Sequence, residues 1–127
     1  MNYGNSQNAM PCDTMLETVV TSLQNSIQKW ADKHELWFDC GFQTYAKRID
    51  GEPGETPVVT ILYFDGDLGS ALDGDFDGLD IEFSELLSQQ GFWYERNDVC
   101  SVHIYPEDDS PLFQAFLEYA NWQWVCG

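Results

Sequence analysis

The chain is short of base. Five lysines and arginines stand against twenty-two aspartates and glutamates, a formal charge of −17 in 127 residues. No lysine or arginine lies between Arg48 and Arg96, and none follows Arg96. Holding phosphates needs clustered Lys and Arg. Five scattered bases therefore argue against nucleic acid as a ligand, and an anionic membrane surface is disfavoured for the same reason. Long apolar runs are missing too, so no bilayer-spanning segment is expected. The first twelve residues, MNYGNSQNAMPC, have neither the basic n-region nor the apolar h-region of a signal peptide. They read as a flexible lead-in over 1–12, ahead of a single domain over 13–127, with Met10 or Met15 as candidate starts. With no export signal the expected compartment is the cytoplasm.

Closely spaced metal ligands are also lacking. Cys12, Cys40, Cys100 and Cys126 are far apart, and zinc would want paired ligands at CxxC-like spacing. His34 and His103 add no local pattern. In a reducing compartment the thiols are expected to be free, with Cys40 and Cys100 on strands as small apolar residues. Catalytic signatures are equally thin. There is no nucleophile elbow and no strand–glycine-rich–helix phosphate loop. Ser101 and His103 share a strand face, but nothing completes a triad. Among so many carboxylates any glycosidase-like pair is uninformative. The expectation is a protein that is not an enzyme and needs no cofactor.

Aromatics are plentiful: eight Phe, six Tyr and five Trp. Disordered acidic tails lack these residues, so this is a folded acidic domain of ordinary single-domain length. After Asp13, a candidate N-cap, apolar residues recur at Leu16, Val19, Val20, Leu23, Ile27 and Trp30, which predicts a helix over 14–33. Alternation over Leu36–Ala46 predicts a strand. The stretch 50–57 is dense in turn formers. Val58–Phe64 predicts a buried central strand, antiparallel to the first. Asp65–Gly78 reads as a long loop. Leu79–Gln90 predicts a second helix stopped by Gly91. Phe92–Arg96 and Val99–Tyr105 predict a hairpin about Asn97-Asp98. Ser110-Pro111 predicts the start of a third helix, with Phe113, Phe116, Leu117, Ala120 and Trp124 as its apolar stripe. The fold class expected is α+β: order α-β-β-α-β-β-α, a mainly antiparallel four-stranded sheet with helices packed on it.

The sharpest local motif is Asp73-Gly-Asp-Phe-Asp-Gly78, which matches the opening of a calcium loop. The match then fails. Ser84 stands where a bidentate glutamate is required, and Asp80 stands where an apolar residue belongs. No tight calcium site is expected, so the metal reading ranks third among those considered. The stronger reading is a field of charge. Asp65, Asp67, Asp73, Asp75, Asp77, Asp80, Glu82 and Glu85 form an unbroken acidic run, with Phe76 in its midst as a candidate interface anchor. Trp93 and Tyr94 project to opposite faces of one strand. Trp122 lies off the stripe of the last helix.

A charge this large and segregated destabilises the compact state through self-repulsion, and solubility alone needs far less. A basic protein partner is therefore expected. In general character the chain resembles the acidic immunity proteins of bacterial toxin–immunity pairs, a compositional likeness without a shared motif. It implies an inhibitor, an immunity protein or antitoxin, that neutralises a cognate basic toxin, such as a nuclease domain. The alternative is a DNA mimic of the anti-restriction or anti-CRISPR type, blocking a DNA-binding enzyme with carboxylates spaced like phosphates.

Overall fold

Leu16, Val20, Leu23, Ile27 and Ala31 fall on one face of helix α1 (Asp13–Lys33) and are completely or almost completely buried. Their three- and four-residue spacing is what makes the segment an amphipathic helix. This is a computed structural model, and it describes residues 13–44, 57–108 and 110–126; the side chains of 13, 14, 44 and 120–126 stand outside that description. The lead-in over 1–12 and most of the turn over 50–57, with its Asp50, Glu52 and Glu55, lie outside the described residues. So do the side chains of Trp122 and Trp124.

α1 closes with a Schellman motif. The Leu36 N–H donates to Ala31 O at 2.8 Å, and Glu35 takes the left-handed conformation with φ 59°. Leu36 is then buried at 3% exposure as the apolar contact of that motif. Asp39 also has a positive φ, 52°. The strand expected over Leu36–Ala46 is accordingly shortened to β1 (Gly41–Thr44), because its first residues are consumed in ending the helix. Tyr45 and Ala46 lie outside the described residues. Cys40 precedes β1 and is not on a strand.

β1 pairs antiparallel with β2 (Thr60–Tyr63), as the sequence predicts, and β2 pairs in turn with β4 (Ser101–Pro106). β3 (Phe92–Asp98) closes the sheet on the far side, giving the order β1-β2-β4-β3, antiparallel throughout. β2 is thus central. Hydrogen bonds from Val59 N to Ile104 O and from Phe64 N to Cys100 O continue its pairing beyond both ends. Thr60 is fully buried and fully satisfied: its hydroxyl donates to Gln43 O at 2.8 Å and accepts from Gln24 Nε2 at 3.0 Å.

The expected loop over Asp65–Gly78 contains an additional helix, α2 (Asp67–Leu72). Leu68, Ala71 and Leu72 are its buried face, at helical spacing. Gly69 lets α2 lie close under the sheet, since a Cβ there would come within 3.0 Å of the Phe64 ring. Six residues with a central glycine give too little periodic signal to announce a helix. Helix α3 (Leu79–Ser88) follows, with Phe83 and Leu87 buried and Leu79 and Leu86 packed beside them. Full burial of a side chain such as Phe83 stabilises by about 1.5–3 kcal/mol. Gly91, φ 90°, ends the segment as expected.

The hairpin turn sits two residues later than Asn97-Asp98. Asp98 pairs with Ser101, leaving Val99 and Cys100 as the connection and Asn97 in a bulge. Asp98 Oδ1 accepts from Cys100 N at 2.8 Å and from Ser101 Oγ at 2.9 Å, so the turn is built around the aspartate and not upon it. Cys100 is therefore in an exposed turn, off the strand expected for it.

Helix α4 (Pro111–Cys126) begins where predicted, with the Phe113 N–H donating to Ser110 Oγ at 3.0 Å. Its buried face differs from the expected stripe. Phe116 and Tyr119 are buried and Leu112 and Ala115 pack with them, while Phe113 and Leu117 are only half-buried. All four helices meet the same side of the sheet: Gly69 touches Phe64, Phe83 touches Tyr94, Phe116 touches Phe92, and the α1 face joins the same core. The α+β class and the antiparallel four-stranded sheet stand as read from the sequence. Among the described residues no helix is long and apolar enough to cross a membrane.

Candidate functional site

The acidic run is carried by α2, α3 and their connection, a segment nailed to the core by Leu68, Ala71, Leu72, Phe83 and Leu87. Its carboxylates divide into two groups. One group is engaged within the fold. Arg96 Nη1 lies 3.2 Å from Asp73 Oδ1, and its Nη2 reaches Asp73 Oδ2 at 3.4 Å and donates to Val99 O at 3.1 Å. The same guanidinium stands 5.0 Å from the centroid of Phe64. The lone base of the chain's second half thus neutralises the acid at the end of α2. Glu82 Oε1 accepts from Trp30 Nε1 at 3.1 Å and lies 3.2 Å from His34 Nε2, which ties α3 to the end of α1. Asp80 is half-buried beside Tyr94, whose phenol is pushed up by burial, with a Ser84 hydrogen bond opposing.

The second group consists of Asp65, Asp67, Asp75, Asp77 and Glu85. All are exposed, and none has an ion-pair partner among the described residues. They are the part of the field that no described lysine, arginine or histidine neutralises. Phe76 packs against the hydrophobic core and is half-buried, so part of its ring is already used by the fold. Asp73, first in the DxDxDG motif, faces Arg96. No group of three His, Cys, Asp or Glu side chains among the described residues could hold a metal ion.

Tyr94 turns inward onto Phe83, with ring centroids 4.9 Å apart, and Trp93 turns outward at 38% exposure. Trp93 stacks on its cross-strand partner Tyr105 at 4.5 Å. Ser101 and His103 share this outward face, but Ser101 is occupied by Asp98 and Asn97 in the hairpin turn. Cys40 and Cys100 are free thiols. Burial pushes the Cys40 thiol up, against nucleophilic use. Cys12 and the side chain of Cys126 lie outside the described residues.

Sequence reasoning missed the sorting of the carboxylates. Arg96 carried one signal, since a single base amid so much acid must find a partner. Trp30 and His34 carried none, because Glu82 lies fifty-two positions along the chain from the first and forty-eight from the second. No protein-family model matches the chain, and neither a curated protein nor a solved structure is significantly similar to it.

Proposed function

We propose that the chain is a small acidic inhibitor, an immunity protein or antitoxin, that binds a basic protein partner such as a nuclease toxin and occludes its phosphate-holding cleft. One observation carries the reading: Asp65, Asp67, Asp75, Asp77 and Glu85 are exposed, and have no ion-pair partner among the described residues, on a segment whose backbone is anchored in the core. A preformed charge field of this kind accelerates encounter with a basic surface and asks for little ordering on binding. A nuclease has to be basic where it grips phosphates. The expected site of action is the cytoplasm, and no chemistry by this chain is required.

A DNA mimic is the second reading. In its favour, exposed carboxylates also lie away from α2 and α3, at Glu17, Asp39, Glu95, Asp98, Asp108 and Glu118. Pull-down from the native host supplies the partner, and protection from that partner's toxicity supplies the assay. The change Asp75→Lys, Asp77→Lys, Glu85→Lys should slow association and weaken binding about tenfold or more, with affinity falling as salt rises. The matched change at Glu17, Asp108 and Glu118 should leave binding nearly intact. Equal loss from both would favour the mimic. No loss from the first would remove α2 and α3 from the interface.

A further inference from the structure

The sheet face turned away from the helices holds a second kind of surface. β3 is an edge strand, and Trp93 projects from its outward face. Tyr105, on the neighbouring β4, stacks on the indole with an interplanar angle of 26°. Tyr105 therefore covers the indole face that looks into the sheet, while Trp93 as a whole stays 38% exposed at the sheet edge. The stack is held in place: the Tyr105 hydroxyl donates to Glu95 Oε1 at 3.4 Å and stands 3.5 Å from His103 Nδ1. Burial and the Glu95 carboxylate both push the Tyr105 phenol up, which keeps it a neutral donor to Glu95. Glu95 is exposed and two residues along the same face from Trp93, a spacing of about 7 Å.

An indole face and a carboxylate at that spacing are both electron-rich, and the described part of this sheet face supplies no lysine or arginine to either. Arg96 belongs to the opposite face, over Phe64. Charge complementarity thus calls for a cation from outside. A planar guanidinium fits best, because it stacks on the ring and still directs N–H donors sideways to the carboxylate, which a compact ammonium does poorly. The bulge at Asn97 and the charge of Glu95 discourage pairing of a foreign strand with this edge, so the contact is one of side chains.

We infer that Trp93 and Glu95 form a receiving site for an arginine side chain of a basic protein partner, with Tyr105 as the positioning residue that fixes both. This rests on the reading that the partner is a basic protein, and it adds a specific contact to a diffuse field. The test titrates the full-length, 15N-labelled chain with hexaarginine and with hexalysine peptides. The Trp93 indole N–H, the Glu95 amide and the amides of α2 and α3 are followed by NMR. The Trp93 and Glu95 signals should move with hexaarginine at several-fold lower concentration than with hexalysine. The movement should survive the Asp75, Asp77, Glu85 reversal and weaken several-fold in Glu95→Gln, which leaves the aromatic stack in place. Trp93 and Glu95 signals that stay still while those of α2 and α3 shift would overturn the site and leave the inhibitor reading standing. Equal response to both peptides would overturn it as well, since charge alone would then suffice. If no signal moves with either peptide, the basic-partner reading falls together with the site.

Discussion

Asp73 and Asp75 are neighbours in one acidic motif, and reversing them should have unequal consequences for the fold. Asp73→Lys places an ammonium against the Arg96 guanidinium, which is pinned by Val99 O at 3.1 Å and by the Phe64 ring at 5.0 Å and has little room to retreat. The native pair is partly exposed, at 54% for Asp73 and 32% for Arg96, so solvent screens it and its loss costs only about 0.5–1 kcal/mol. Like-charge repulsion in the variant adds a similar amount. A lysine at the end of α2 would gain from the negative end of the helix, but α2 has six residues and the gain is a few tenths of a kcal/mol at most. The net expectation is a loss of about 1–2 kcal/mol. Asp75→Lys, exposed and unpaired, should stay within about 0.5 kcal/mol of the parent or stabilise slightly by relieving net charge. Urea unfolding followed by tryptophan fluorescence measures both, with Asp73→Asn separating lost attraction from new repulsion. Equal stability of Asp73→Lys and Asp75→Lys would refute the claim that Arg96 clamps α2. The distinction also governs the binding experiment, because a reversal that includes Asp73 would confound a weakened interface with a weakened fold.

Three further outcomes are expected. Gly69→Ala gains about 1 kcal/mol of helix propensity, yet its Cβ would lie 3.0 Å from a Phe64 ring that is buried and backed by Arg96, so overpacking wins and the variant should lose about 1 kcal/mol in urea unfolding. Glu35→Gly relieves a side chain held at φ 59°, worth about 1–2 kcal/mol, against about 0.5–1 kcal/mol of added unfolded-state freedom; the thermal midpoint should rise by about 2 °C. Asp98 is held below the usual carboxylate range by the Cys100 N–H first and the Ser101 hydroxyl second. Its folded pKa is depressed, so its contribution is present above the ordinary aspartate pKa and disappears as pH falls through the folded value. The stability gap between parent and Asp98→Ala should therefore be constant near neutrality and narrow in the acid limb of a pH–stability profile; a gap that widens there would contradict the assignment.

What the sequence discloses and what it withholds follow from the range of the forces involved. The start of α4 is legible because Ser110 and Phe113 settle it among themselves. The buried face of α4 is not, because Leu112, Phe113, Ala115, Phe116, Leu117 and Tyr119 offer apolar surface on nearly every side, and only contact with Phe92 and α1 selects among them. α2 is hidden for another reason: six residues with a central glycine carry too little periodicity, and they become a helix by packing under Phe64 and against α3. The carboxylates repeat the lesson in charge. Nothing local distinguishes Asp73 from Asp75, or Glu82 from Glu85. The fold distinguishes them by where it delivers Arg96, Trp30 and His34. The scarcity of base, fully visible in the sequence, dictates that most of the acid must remain uncompensated. The fold then selects which carboxylates those are. The five that remain on α2, α3 and their flanks are all exposed and unpaired among the described residues, so binding a cation there exchanges water for protein without first breaking any described pair. Recruiting Asp73 or Glu82 would instead require opening the Arg96 clamp or the tie to α1. A partner should accordingly select the first set over the second.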